Sequence, residues 1–331
     1  MLLGSVLLVA GLVLLIGGAE WLVRGVSGLA RAMGVSPLII GLTVVAFGTS
    51  TPELVVNTIA ALKGQTDLAY GNLIGACAIN IGFVLALTAV IRPLRVQTSI
   101  ITRDLPMLLL GVAALVVLSE DSFLGTGTSD RLDRSDGLIL LLLFCVFLYY
   151  NVMDVLLRPA ADPFVVEVGE AVATHPPPVR PVWVYAAWTG AGLVGVGLGG
   201  RMCVSGAVQI AHALGVPEVI IGLTLVSLGT TAPELATGIL AARRGQGDIA
   251  IGNVVGSNIF NLLFIAGLVA TINPMPIPSG GQFDLLFMAG LSAILLPIAI
   301  SGQRRILRVE GVALLGLYGT YLLVRTLWAA R

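Results

Sequence analysis

The chain has 331 residues, 18 Lys plus Arg against 18 Asp plus Glu, and is 57% hydrophobic with only 11% charged residues. Its mean hydropathy is +1.00. Soluble domains carry roughly 25% charged residues, so this composition excludes an ordinary soluble protein, and zero net charge gives no argument for nucleic acid.

Apolar runs recur at the length of about 20 residues that a helix needs to cross hydrocarbon. The short alternating strands of an outer-membrane barrel are not seen. The expected fold class is therefore an all-α, multi-pass integral membrane protein. Ten transmembrane helices are predicted, over 2–24, 37–62, 68–91, 104–119, 137–157, 182–205, 217–242, 248–271, 284–300 and 309–328. The first run has no Lys or Arg before it and is read as a helix, not a signal peptide. Cys77, Cys145 and Cys203 are far apart in apolar segments and read as packing residues.

Glu120 to Asp136 forms a short acidic loop. The longer polar stretch from Arg158 ends in Pro176, Pro177 and Pro178 and reads as a linker. The expected organisation is a first five-helix repeat over 1–157, a cytoplasmic linker over 158–181, and a second five-helix repeat over 182–331. Residues 41–80 align without gaps to 222–261 at a constant offset of 181, with 19 of 40 positions identical. Five spans per half is odd, so the second copy enters the membrane upside down, as two inverted five-helix repeats. With the N-terminus outside, the inner loops collect 12 arginines, among them Arg24, Arg31, Arg180, Arg243 and Arg244, and the outside only six basic residues. The positive-inside rule thus favours N- and C-termini outside.

Glu53 and Glu234 lie mid-span, each after a proline, in Gly48-Thr49-Ser50-Thr51-Pro52-Glu53 and Gly229-Thr230-Thr231-Ala232-Pro233-Glu234. An ionised side chain at that depth costs about 2.5–3.5 kcal/mol on insertion scales. No Lys or Arg lies at an equivalent depth, so a bound cation is the natural partner; the bland alternative is a protonated Glu bonding a neighbouring helix. Proline and glycine predict a helix break that frees carbonyls around Ala46 and Ser227. Carbonyls, hydroxyls and carboxylates are hard oxygen ligands suited to calcium and sodium. The second element runs from Gly71-Asn72 to Asn80, and again from Gly252-Asn253 to Asn261. Gly71, Gly75, Gly252 and Gly256 have small-xxx-small spacing for close helix approach. Asn72 and Asn253 are expected to bond helix to helix. Asn80 and Asn261 either do the same or offer an amide oxygen to an ion, and the residues alone leave both open. Asp67 and Asp248 are expected as N-caps.

The paired G-T-[ST]-x-P-E-L and G-N-x-x-G blocks resemble the α-repeats of the sodium/calcium exchanger family, most closely its prokaryotic ten-helix members. The resemblance implies secondary active antiport of calcium for sodium by alternating access, in a bacterial or archaeal inner (plasma) membrane. It implies that Glu53 and Glu234 bind calcium with Thr49 and Thr230. It assigns the sodium subsites to Ser50, Thr231, Ser257, Asn80, Asn261 and the carbonyls of Ala46 and Ser227. The partners implied are calcium and sodium ions and the lipid bilayer, with no prosthetic cofactor. Ala76 stands where many relatives have serine, removing one oxygen from a sodium subsite. Asn261 matches the potassium-independent type. A proton-coupled calcium exchanger and, more distantly, a cation channel are the alternatives. With only His175 and His212 and no H-E-x-x-H, an enzyme is not expected.

Overall fold

In the computed structural model, residues 2–34, 37–120, 130–157, 180–214, 227–301 and 304–329 are described. The expected linker up to residue 179, the interior of the Glu120–Asp136 loop and the first part of the 217–242 span lie outside them. The helices are α1 (Leu2–Met33), α2 (Leu38–Thr49), α3 (Thr51–Leu62), α4 (Thr66–Ile91), α5 (Ile100–Leu118), α6 (Arg134–Leu157), α7 (Val182–Ala213), α8 (Ser227–Thr230), α9 (Ala232–Arg243), α10 (Gly247–Ile272), α11 (Gly281–Ile300) and α12 (Arg308–Ala329). Among the described residues, eight are long and apolar enough to cross a membrane, or nine if α2 and α3 form one broken span.

Two predicted ends need correction. α1 continues to Met33 and α7 to Ala213, beyond the expected limits at 24 and 205. Arg24 and Arg201 interrupt the hydropathy pattern, but a helix ends where its backbone pattern ends. Here the Arg24 guanidinium pairs with Glu20 one turn back, at 2.5 Å. At 1.5 Å per residue, 32 residues span about 48 Å, more than the hydrocarbon core of about 30 Å. Such a helix tilts or projects beyond the core.

The chain forms two compact units, Met1–Thr49 with Val146–Asn253 and Ser50–Cys145 with Val254–Arg331. Each draws on sequence from both sides of the linker. In the first unit, α1 and α7 lie antiparallel: Gly4 meets Gly206, Gly11 meets Cys203, Gly18 meets Val196 and Gly25 meets Thr189. The glycines recur every seven residues on α1, and again at Gly192, Gly199 and Gly206 on α7. A Cβ at Gly11, Gly18 or Gly25 would stand 2.6 Å from a backbone nitrogen of α7. The two backbones thus approach as closely as they do only because one face lacks side chains. Lipid supplies no hydrophobic drive between helices, so this close dispersion contact holds the pair.

In the second unit, two short antiparallel ladders join segments remote in sequence. Leu94 and Arg95 pair with Ile306 and Arg305, and Arg131 and Leu132 pair with Pro276 and Met275. Residues 94–95 and 275–276 are themselves 181 apart, so the sequence repeat reaches these ladders. Tyr70, 1% exposed, donates its hydroxyl to the Gly281 carbonyl at 3.0 Å. Asn72 donates to Asn57 at 3.2 Å, the helix-to-helix bond expected of it. α4 and α10 each contain a π-helical turn, Asn80–Leu85 and Phe260–Ile265.

The expected N-cap roles of Asp67 and Asp248 are not borne out. Thr66 and Gly247 open their helices, so each aspartate is the second helical residue, and Gln65 caps the first without a side-chain bond. Their carboxylates instead sit where the helix dipole favours negative charge. The turns before them are built alike. Gly64 and Gly245 take φ of 71° and 79°, and the next residue's N–H returns 2.8 Å to the carbonyl of Ala60 or Ala241. This is the glycine-requiring helix stop of a Schellman motif.

Candidate functional site

The two P-E motifs fold alike. The α2 helix ends at Thr49, Ser50 leaves helical geometry at φ −84°, ψ 8°, and α3 starts with Pro52 in its first turn. Thr231 does the same at φ −89°, ψ 2°, with Pro233 in the first turn of α9. The bend at the first break is 46°. Proline cannot donate the intrahelical hydrogen bond, and at a helix start it need not. The expected break is therefore present in both copies.

Each break places a glutamate in the first turn of the helix that follows. Glu53 and Glu234 are both 1% exposed. Unpaired N–H groups at a helix N-terminus stabilise an anion by about 0.3–1 kcal/mol, up to about 2 in buried settings. That falls short of the about 2.5–3.5 kcal/mol insertion cost of a charge. The local fold thus lowers the cost of each carboxylate without cancelling it, leaving room for a cation to complete the balance.

In the first unit, the Ala46–Thr49 turn of α2 packs on α9, which carries Glu234. Thr49 is 1% exposed; its Oγ1 lies 3.0 Å from Asn253 Oδ1 and 3.3 Å from the Ala46 carbonyl. One hydroxyl proton serves one acceptor at a time, and the contact with Asn253 is the shorter. Asn253 thus makes the helix-to-helix bond expected of it. Thr231 is 1% exposed, Thr230 is half-buried, and Ser227 opens α8.

In the second unit, α3 with Glu53 packs on the π turn that carries Asn261. Ser50 and Ser257 are wholly buried, and Asn80 and Asn261 are 1% exposed. A relay fixes one amide. The Cys77 carbonyl can only accept, so it takes the Asn258 Nδ2 at 3.3 Å. Asn258 Oδ1 then accepts from Asn80 Nδ2 at 3.0 Å. Asn80 Oδ1 is left turned away, buried, and accepts no hydrogen bond from a described residue; the same holds for Asn261 Oδ1. An orphaned buried acceptor costs about 1–3 kcal/mol.

Sequence reasoning missed Asn57, Thr237 and Asn258, all fully buried. Asn258 stands where the other copy has Cys77, Thr237 where it has Val56, and Asn57 where the second copy has Gly238. The signal was departure from the repeat, whereas the search followed identity between copies.

Residues 3–153 and 184–327 match the family described as sodium/calcium exchanger protein. The chain is 38% identical over 275 residues to the inner membrane protein YrbG of Escherichia coli (strain K12), covering 83% of this chain and 81% of that one. It is 30% identical over 313 residues to the sodium/calcium exchanger MaX1 of Methanosarcina acetivorans, covering 88% and 89%. Its fold superposes on the solved sodium-calcium exchanger NCX_Mj with a TM-score of 0.81 and 30% identity, over 100% of this chain and 99% of that one. The repeated break, the buried glutamates and these matches agree: the chain is a member of the sodium/calcium exchanger protein family.

Proposed function

We propose that the chain is a secondary active antiporter that exchanges calcium for sodium by alternating access. In this reading ten helices form two inverted five-helix repeats, 1–157 and 182–331, joined by a cytoplasmic linker over 158–181, with both termini outside. Glu53 and Glu234 share one calcium with Thr49 and Thr230. Sodium ions occupy places formed by Ser50, Thr231, Ser257, Asn80, Asn261 and the carbonyls of Ala46 and Ser227. The observation that carries the reading is the repeat-equivalent pair of carboxylates, each 1% exposed in the first turn after a helix break.

Charge balance supplies the coupling. Two carboxylates in low dielectric favour occupancy by compensating cations. One calcium neutralises both, and sodium does so only by binding together, so the loads exclude each other. Moving the empty, doubly charged site would be costly, which suppresses leak. MaX1 bears the name of a sodium/calcium exchanger, and the relative CaxA of Alkalimonas amylolytica, 37% identical over 286 residues, that of a putative antiporter.

The test is radioactive calcium uptake into proteoliposomes under separately imposed sodium, proton and potassium gradients. Uptake driven by sodium, and abolished by Glu53→Gln and by Glu234→Gln, is the expected result. Uptake that follows a pH gradient at zero sodium would replace sodium with protons in the scheme, and single-channel currents would replace exchange with a channel.

A further inference from the structure

A second polar feature lies within the first unit, at the C-terminal end of α1 and the N-terminal end of α7. A half-open cavity of about 360 Å³ is lined there by Arg24, Arg31, Arg180, Arg244, Tyr185 and Trp188, among others. That volume falls in the range of small-ligand pockets. Four guanidiniums converge from three separate segments: α1, the residues before α7, and the turn after α9.

Among the described residues, one acid, Glu20, pairs with them. Arg24 and Arg244 both pair with Glu20, so a single negative charge is shared by two arginines. Arg31 and Arg180 form no ion pair with a described residue. Arg180 lies 4.8 Å above the Trp188 ring, which fixes the guanidinium plane. The Arg180 backbone N–H donates to the Tyr185 hydroxyl at 3.1 Å, leaving the hydroxyl proton to be donated elsewhere. The cavity thus offers forked guanidinium donors and a phenol to an oxyanion, with net positive charge among the described residues.

The surroundings are apolar. Trp183, at the start of α7, is 71% exposed, and Met33, at the end of α1, 55%. Aromatic residues at a helix end with arginines mark a headgroup level, and basic pockets between membrane helices hold anionic headgroups. We propose that this cavity binds the phosphate-bearing headgroup of an anionic phospholipid, whose acyl chains lie on the exposed apolar surface beside it. An occupant would touch α1, α7 and the turn after α9 at once and tie them together.

The experiment measures binding of short-chain phosphatidylglycerol to the purified full chain in neutral detergent by native mass spectrometry. Short-chain phosphatidylcholine and inorganic phosphate are compared at equal concentration. Phosphatidylglycerol is expected to bind saturably and phosphatidylcholine not. At about fivefold per arginine, Arg31→Gln with Arg180→Gln weakens binding roughly thirtyfold, and Lys at both positions restores most of it. Glu20→Gln removes the competing carboxylate and tightens binding, and it decides the matter if the double variant fails to fold. Inorganic phosphate binding as well as the lipid keeps the anion site and assigns it to free phosphate. Equal binding of both lipids with no binding of phosphate, or affinities unmoved by these substitutions, overturns the proposal.

Discussion

Replacing Gly18 with alanine tests how closely α1 and α7 approach. The added Cβ would lie 2.6 Å from the Val196 nitrogen and 2.7 Å from the Gly195 carbonyl carbon, whereas ordinary contact begins at 3.4 Å. Both obstacles are backbone, so no rotamer change relieves them and the helices must part by about 0.8 Å. A gap of that size forfeits a quarter to a half of the dispersion well for neighbouring contacts, and overpacking costs typically about 1–3 kcal/mol. Alanine also gains about 0.8–1 kcal/mol of helix propensity over glycine. Gly17→Ala isolates the packing term, because nothing lies within 4 Å of its added Cβ while the propensity gain is the same. Gly18→Ala is therefore expected to be less stable than Gly17→Ala by about 1–3 kcal/mol. Reversible unfolding in mixed micelles, followed by fluorescence from Trp21 and Trp188, measures the difference. Equal stability of the two variants would refute the close-packed interface.

Thr49→Val keeps the side-chain shape but removes the partner of buried Asn253. It is expected to cost about 1–3 kcal/mol in thermal unfolding and to raise the calcium concentration needed for half-maximal uptake. Asn258→Leu removes the group that orients Asn80. It leaves the buried Asn80 Nδ2 and the Cys77 carbonyl without their partner, so the half-saturating ion concentration is expected to rise severalfold and the unfolding free energy to fall by about 1–3 kcal/mol. A large midpoint loss with unchanged ion dependence would assign Asn258 a packing role alone.

The repeat was the most informative thing in the sequence. Identity between the copies marked the P-E break and the asparagines that sit in the π turns, whereas the helix stops at Gly64 and Gly245, also identical between the copies, went unread. Hydropathy placed the later helices to within a few residues but stopped α1 and α7 early. It could not foresee that Glu20 would hold Arg24 and Arg244. The heptad of glycines was printed in the sequence yet unread, since its meaning depends on which helix faces which. Asn258 escaped for a related reason: its role follows from a carbonyl on another helix.

The ladder between Leu94 and Ile306 has a consequence for biosynthesis. These partners are 212 residues apart, so at roughly 5–20 residues per second the earlier segment waits on the order of 10–40 seconds for its mate to emerge from the ribosome. Until the final helix has been inserted, the first half has a backbone edge with no permanent neighbour. Truncation before residue 305 would leave that edge open to a chaperone, or to another nascent copy.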